Sequence, residues 1–278
     1  MKATARKRYA QHFLRDTGIL SRIIGLIKPS AADLVLEVGA GDGALSVRLA
    51  PKVFGLLAVE IDSALCTVLA QALAPFPNAK VIAGDILRLD VLRLLSPYLQ
   101  PSMKLRIVGN LPYNIGTAII ELMLSLPIPV QDMIFMLQLE TAERISAAPG
   151  SKDYGFFSVY CQHHCDTRMG FRVSPACFVP RPKVDSAMLV MRPRNVLRDP
   201  GFEASFLTVT KAAFAYRRKT LANSLRRDRR LGVLAQELLL RAGVDGARRA
   251  EDLSVQEYER LSCIYHQTTV NKAPDMRA

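Results

Sequence analysis

Asn110-Leu111-Pro112-Tyr113 brings an amide, a peptide carbonyl pinned by a following proline and an aromatic ring together within four residues. The amide oxygen and the carbonyl can accept hydrogen bonds from the exocyclic amine of a planar base, and the ring can stack on its face. The tetrapeptide follows Leu105-Arg106-Ile107-Val108-Gly109, an apolar run of the kind that forms a buried strand ending at a Gly break. That places it at a strand's carboxyl end, where open α/β sheets bind their ligands. Taken alone, these four residues read more readily as a strand-to-loop turn with a buried Tyr. The assignment therefore depends on what else reaches the same edge.

Three acids do. Glu37 lies inside the strand pattern Leu34-Val35-Leu36-Glu37-Val38, two residues before Gly39-Ala40-Gly41-Asp42-Gly43. That loop puts backbone without Cβ atoms against a ligand at a helix start. Glu37 can reach towards the positively charged amino-acid end of a ligand. Glu60 closes the second strand pattern, Leu56–Asp62, where an acid can accept both hydroxyls of a ribose. Asp85 follows the third, Lys80–Ala83, and can accept from an adenine amino group; its plain alternative is a helix cap. The glycines also satisfy the dinucleotide fingerprint, with Ala44 in its last place, so a nicotinamide-dependent oxidoreductase stays open on this loop alone. Three strand-end acids, one Gly loop and Asn110 on one sheet edge describe a pocket for an adenosine carrying an amino acid, which is S-adenosylmethionine.

The elements that must position these groups follow in order. Asp16 and Thr17 can cap a helix whose apolar residues run from Ile19 to Ile27. A helical run through Leu45 and Leu49 follows the Gly loop, and helices are expected over Ala64–Leu73, Val91–Leu95 and Ile119–Leu126. Asp132–Leu137 reads as a fifth strand, followed by a helix over Glu140–Ala148. Strands alternating with helices at this spacing predict a doubly wound, mostly parallel α/β sheet. Phe156–Cys165 is read as a helix because Phe157, Cys161 and Cys165 share a face. Met169–Val173 and Ala187–Met191 read as late strands around the Pro-rich loop Phe178–Lys183. After a linker from Arg192 to Gly201 the pattern is helical throughout. The expected division is an α/β domain over 1–194 and a small all-α domain over 195–278.

At 278 residues, half of them apolar, the chain has material for one large or two ordinary globular domains. No apolar run approaches the ~20 residues of a membrane span, and the basic start lacks a signal-peptide core. A cytoplasmic chain without membrane contact is expected. Five scattered cysteines argue against a disulfide framework. Cys161-Gln162-His163-His164-Cys165 packs four metal-ligand types into five residues, but no second cluster completes a zinc spacing, and no metal is expected.

The net charge of +12 sits at the ends: +6 over residues 1–30, +1 over 31–194 and +5 over 195–278. A near-neutral centre between basic ends suits a polyanion gripped from both sides. From Tyr216 to Arg230 there are seven bases and one acid. With Phe214, Leu221 and Leu225 at helical positions, this reads as one amphipathic helix offering Arg217, Arg218, Lys219, Arg226 and Arg227 to phosphates, a solvated helix face being the plain alternative.

Gln11-His12-Phe13-Leu14, Glu37–Gly43, Glu60, Gly84-Asp85-Ile86, Asn110–Tyr113 and Phe178-Val179-Pro180-Arg181-Pro182-Lys183-Val184-Asp185-Ser186 occur in this order. Together they resemble the small-subunit ribosomal-RNA adenine N6,N6-dimethyltransferases of the KsgA type, over roughly residues 6–230. His12 stands where Asn is frequent in that family, and Ala40 where Pro is frequent. The resemblance implies a Rossmann-like class I methyltransferase fold, with cofactor contacts at His12, Leu14, Gly39, Gly41, Glu60, Asp85 with Ile86, and Asn110. It implies a base pocket of Asn110, Leu111, Pro112, Tyr113 and Phe178, the last stacking on the base opposite Tyr113. It further implies an RNA-binding helical domain, a monomer, and a substrate of two adjacent adenosines near the 3′ end of small-subunit (16S) rRNA in a 30S precursor. The alternatives are the large-subunit (23S) rRNA methyltransferases of macrolide resistance, the oxidoreductase above, and a non-catalytic RNA-binding assembly factor. Leu111, where Ile is usual in the macrolide-resistance enzymes, and the longer basic carboxyl end favour the small-subunit reading.

Overall fold

The computed structural model describes residues 11–194, 199–216 and 218–270. Its contacts divide the chain into two compact units, 1–142 with 166–193, and 143–165 with 194–278.

In the first unit, β1 (Phe13–Leu14) leads into α1 (Thr17–Ile27), where Asp16 accepts from the Ile19 N–H at 2.8 Å as the cap expected of it. Then come β2 (Asp33–Val38), α2 (Ser46–Leu49), β3 (Gly55–Glu60), α3 (Ser63–Leu73), β4 (Ala79–Ala83) and α4 (Val91–Leu95). Asp62 and Asp90 cap α3 and α4, so side chains of the strand-to-helix turns satisfy orphan helix N–H groups. β5 (Lys104–Asn110), α5 (Gly116–Leu124), β6 (Asp132–Gln138) and α6 (Leu139–Ile145) continue the alternation. The chain returns to this unit through β7 (Cys165–Val173), reached after α7 (Phe156–His164), and ends in β8 (Phe178–Val179) and β9 (Ser186–Pro193).

Seven strands form one sheet in the order β4-β3-β2-β5-β6-β9-β7. The first five are parallel, and β9 runs antiparallel to β6 with Ile134 opposite Val190. The strand order reverses between β2 and β5, which opens a crevice at their carboxyl ends. β2 and β3 are buried along their whole length, the signature of a parallel sheet covered on both faces. Across the switch, Val38 pairs with Gly109, and a Cβ on Gly109 would lie 2.4 Å from the Val38 carbonyl oxygen. The close approach of the two strands therefore requires glycine at 109.

Two short elements lack a sequence signature: β1 and β8 pair antiparallel, Leu14 opposite Phe178. They tie the amino-terminal motif to the Pro-rich loop. The helix expected through Leu45 and Leu49 is only α2, one turn long, because the chain stays in turns as far as Leu45.

The second unit holds α7, α8 (Pro200–Phe214), α9 (Leu221–Arg227), α10 (Ala235–Ala242) and α11 (Val255–Val270). Its core joins Tyr154 and Val159 to Phe206, Val209, Leu225, Tyr258 and Leu261. One break between the units falls between Pro193 and Arg194. The stretch 143–165 is an addition to the helical unit, made by the burial of Tyr154 and Val159 in that core. The basic stretch is not the single helix expected. α8 ends at Phe214, the Lys219 N–H donates to the Tyr216 carbonyl in a turn, and Thr220 starts a new helix by capping the Asn223 N–H. Arg218, Lys219, Arg226 and Arg227 are exposed; Arg217, and residues 195–198 of the expected linker, lie outside the described residues.

Candidate active site

The crevice at the β2–β5 switch is a cavity whose walls include His12, Leu14, Glu37, Gly39, Gly41, Glu60 and Asn110 to Tyr113. Ten of the residues singled out in the sequence are thus brought together. Gly39 and Gly41 turn the chain at φ 71° and 61°, a region that costs L side chains strain. Their turn exposes backbone to the cavity directly beneath Phe13, whose ring would lie 3.5 Å from a Cβ on Gly41.

Glu60 ends β3 almost fully buried. One of its oxygens accepts from the Gly41 N–H at 2.8 Å and the other from the Asp62 N–H at 2.9 Å. Burial raises its pKa, and these backbone hydrogen bonds oppose the rise. Held this way, the carboxylate still has lone pairs for two further donors. Glu37 is 3% exposed and accepts from the Ser46 hydroxyl at 2.6 Å. Burial pushes its carboxyl up to about 8, against the lowering pull of Ser46 and with a smaller upward push from Glu60. Ser46 carries no motif of its own, and only the turn that brings the start of α2 back under β2 reveals it.

Asn110 donates from Nδ2 to the His12 carbonyl at 3.0 Å. No described residue donates to its Oδ1, which is left to the cavity. The Leu111 N–H donates to the Met136 carbonyl at 3.1 Å, and Pro112 confines Leu111 to extended geometry. Tyr113 is anchored at its far end, its hydroxyl 2.8 Å from Ser186 Oγ, and burial raises its pKa. Ser186 was visible in the sequence only as the last letter of the Pro-rich motif. The apolar side chains of Ile61, Ile134, Met136 and Met188 complete the walls.

Three expected site residues lie elsewhere. Asp85 accepts from the Leu87 N–H at 3.1 Å in a turn and faces Arg88 at 3.6 Å; the helix it was alternatively expected to cap is capped by Asp90 instead, and Ile86 is buried beside Asp85. Neither lines the cavity. Phe178 is 3% exposed and belongs to the apolar core of the first unit, so it offers no ring face to a base in this conformation. The His-rich stretch on α7 does acquire a carboxylate: donor atoms of His163, His164 and Glu203 fall within 4.8 Å of one another. His163 is fully buried, bonded through Nδ1 to Glu259 at 2.8 Å and stacked on Phe206 with ring centroids 3.6 Å apart. Cys161 and Cys165 are buried.

A parallel sheet with a strand-end acid pair, a Gly turn and a strand-end amide around one crevice defines a Rossmann-like methyltransferase. The chain belongs to the ribosomal RNA adenine dimethylase family, whose sequence pattern it matches over residues 2–267. Relatives named Ribosomal RNA small subunit methyltransferase A agree. That of Geobacter sulfurreducens is 42% identical over 262 residues, covering 93% of this chain and 94% of its own. That of Legionella pneumophila is 40% identical over 263 residues, covering 94% and 98%. Among solved structures, a dimethyladenosine transferase from Plasmodium falciparum shares the fold with a TM-score of 0.78 at 22% identity, over 93% of this chain and 98% of that one. The 23S rRNA methyltransferase ErmE aligns with a TM-score of 0.68 at 26% identity, over 90% and 98%.

Proposed function

We propose that this enzyme dimethylates the N6 amines of two adjacent adenosines near the 3′ end of small-subunit rRNA, using S-adenosylmethionine, as a step in 30S subunit assembly. The observation that carries this is the Asn110 amide, whose nitrogen is held by the His12 carbonyl and which lines the cavity together with Leu111.

The donor set fits the cofactor. Glu60, fixed by two backbone N–H groups, has acceptor capacity for a ribose diol, and Glu37 is an acid beside the Gly turn for an ammonium group. Bound there, S-adenosylmethionine supplies a methyl on a sulfonium, which leaves as a neutral thioether. The chain's own groups prepare the acceptor. An adenine amine is a weak nucleophile because its lone pair is delocalised into the ring. Asn110 Oδ1 and the Leu111 carbonyl, each accepting one N–H, favour a pyramidal nitrogen with its lone pair aimed along the transfer line. Tyr113 stacks on a base drawn out of its helix, a contact worth about 1–3 kcal/mol. The proton becomes acidic once nitrogen carries the methyl and passes to water, so positioning supplies most of the catalysis.

The exposed Arg218, Lys219, Arg226 and Arg227 of the second unit, with Arg217 between α8 and α9, belong to the same proposal as phosphate contacts. So do a monomeric state, a cytoplasmic location and independence from metal. Among the described residues no helix is long and apolar enough to cross a membrane.

The likeness to ErmE favours one second reading, a large-subunit substrate. Relatives named for the small subunit at about 40% identity weigh against it. A nicotinamide cofactor is disfavoured because α2 is too short to offer a pyrophosphate site at its start. The deciding experiment maps labelled methyl groups on 30S and 50S subunits that lack the modification. Label on adjacent adenosines of the 30S subunit is the expected result; label on 50S alone would overturn it.

A further inference from the structure

The stretch Cys161–Cys165 carries four metal-ligand side chains, and methyl transfer uses none of them. Its histidines stand in the last turn of α7, where a helix favours positive charge. Folding of the second unit brings Glu203 of α8, 40 residues on from His163, up to both imidazoles. Its Oε1 lies 3.4 Å from His163 Nε2 and its Oε2 lies 3.6 Å from His164 Nε2. An imidazolium and a carboxylate in direct contact approach to about 2.7–2.9 Å. Atoms bound tetrahedrally to zinc at about 2.0–2.1 Å stand about 3.3–3.4 Å apart. The observed spacings lie nearer the second geometry. The wholly buried His163 is also set in orientation. Its ring stacks on Phe206 with centroids 3.6 Å apart, and its Nδ1 is 2.8 Å from Glu259 Oε1 on α11. Because a carboxylate accepts, Nδ1 carries the proton, and the neutral ring turns the Nε2 lone pair towards Glu203. Two acceptors then face each other, an arrangement that a cation between them stabilises. A carboxylate on the far ring nitrogen is what orients metal-bound histidines.

We infer that His163 Nε2, His164 Nε2 and Glu203 bind a divalent cation of the zinc class, with Glu259 holding His163 in place and water completing the shell. Two imidazoles and one carboxylate suit zinc rather than magnesium or calcium, which take oxygen ligands. His164 and Glu203 are partly exposed, which gives the cation an entry path. The cation joins α7 to α8 and, through Glu259, to α11, so it fastens residues 143–165 to the helices that follow 194. None of its ligands lines the methyl-transfer cavity, and the transfer chemistry stays independent of it. The inference revises the expectation of no metal. The carboxylate that completes the set is a single glutamate brought in by packing, which no ligand spacing in the sequence signals.

The full chain, stripped with a chelator and dialysed against zinc, tests this. Elemental analysis should find one zinc per chain, not displaced by a roughly hundredfold excess of magnesium. Because a change at His163 opens the core, the variants are placed at less buried side chains. His164→Ala and Glu203→Gln should each weaken zinc affinity about tenfold or more, and Glu259→Gln, which touches no metal, about 10- to 100-fold. Zinc at about 100 times its Kd should raise the thermal unfolding midpoint of the wild type by about 5 °C or more, and that of each variant by less. A His163 imidazolium shared between two carboxylates predicts no zinc on any of the four proteins. That result, or zinc held equally by all four, overturns the inference.

Discussion

The side-chain amide of Asn110 and the main-chain carbonyl of His12 are joined by a hydrogen bond of 3.0 Å across 98 residues of sequence. It decides which end of the amide meets the substrate. Only a carbonyl partner forces the nitrogen outward and leaves the oxygen, the acceptor the chemistry needs, in the cavity. Asn110→Ala is therefore expected to lower methyl transfer by about 10² or more, as loss of a preorganised transition-state contact does. RNA binding should persist. A filter-binding and radiolabel assay on the same preparation checks both, and near wild-type transfer would remove the role given to the amide.

Glu60 joins the Gly turn to the cofactor side of the cavity. Glu60→Ala frees the Gly41 and Asp62 N–H groups and removes the proposed diol acceptor. Hydrogen bonds to a charged group contribute about 1.5–3 kcal/mol, so cofactor affinity should fall roughly 10- to 100-fold with RNA affinity unchanged. Calorimetric titration with S-adenosylmethionine reads this directly.

The Glu37 carboxyl gives the cavity a pH dependence. Its pKa stands raised from 4.5 to about 8 by burial, so between those values the folded chain binds a proton that the unfolded chain has lost. Its contribution to stability is whole below about 4.5 and is lost as pH rises through about 8. An ammonium group beside it favours the carboxylate, so cofactor binding near neutral pH should release a proton and tighten as pH approaches 8. Calorimetry in buffers of different ionisation enthalpy should show that proton for wild type and none for Glu37→Gln.

At the opposite edge of the sheet Arg106 links two buried acids, Asp33 and Asp132, each at 3.4 Å, and also donates to the Ile27 carbonyl. Burial raises the pKa of Asp132 even with Arg106 beside it. Arg106→Leu takes the shared guanidinium away from these buried carboxylates and should cost roughly 3–5 kcal/mol, as removing one partner of a buried ion pair does. Urea unfolding measures the loss. Cofactor affinity of the folded fraction should not change.

Neutralising Arg218, Lys219, Arg226 and Arg227 together should weaken RNA binding at low salt. The slope of log affinity against log salt should flatten by about 0.7–0.9 for each cation that meets a phosphate. An unchanged slope would show that these exposed side chains face away from the RNA.

Local pattern was enough for the sheet. Apolar runs of strand length ending in Glu60, in Gly84-Asp85 and in Asn110, each followed by a helical period, specify parallel strands whose carboxyl ends share an edge. Since ligands bind at that edge, Glu37, Glu60, the Gly turn and the tetrapeptide are legible together in the sequence, whereas Asp85 stays in its own turn. The tertiary structure decided contacts made across long separations, which no local period encodes. It buried Phe178 by pairing β8 with β1, and it seated His12 on Tyr113 through that pairing. It drew residues 143–165 into the helical unit through Tyr154 and Val159, and broke the basic stretch at Thr220, where a side-chain cap outweighed the helical spacing of its apolar residues. Sequence by itself brought Glu37, Glu60, the Gly turn and the tetrapeptide to the crevice, but it also pointed there with Asp85, Ile86 and Phe178, which do not line it. Packing decided which way the Asn110 amide points and which rings are free to meet a base, because both depend on partners that only the closed sheet brings within reach.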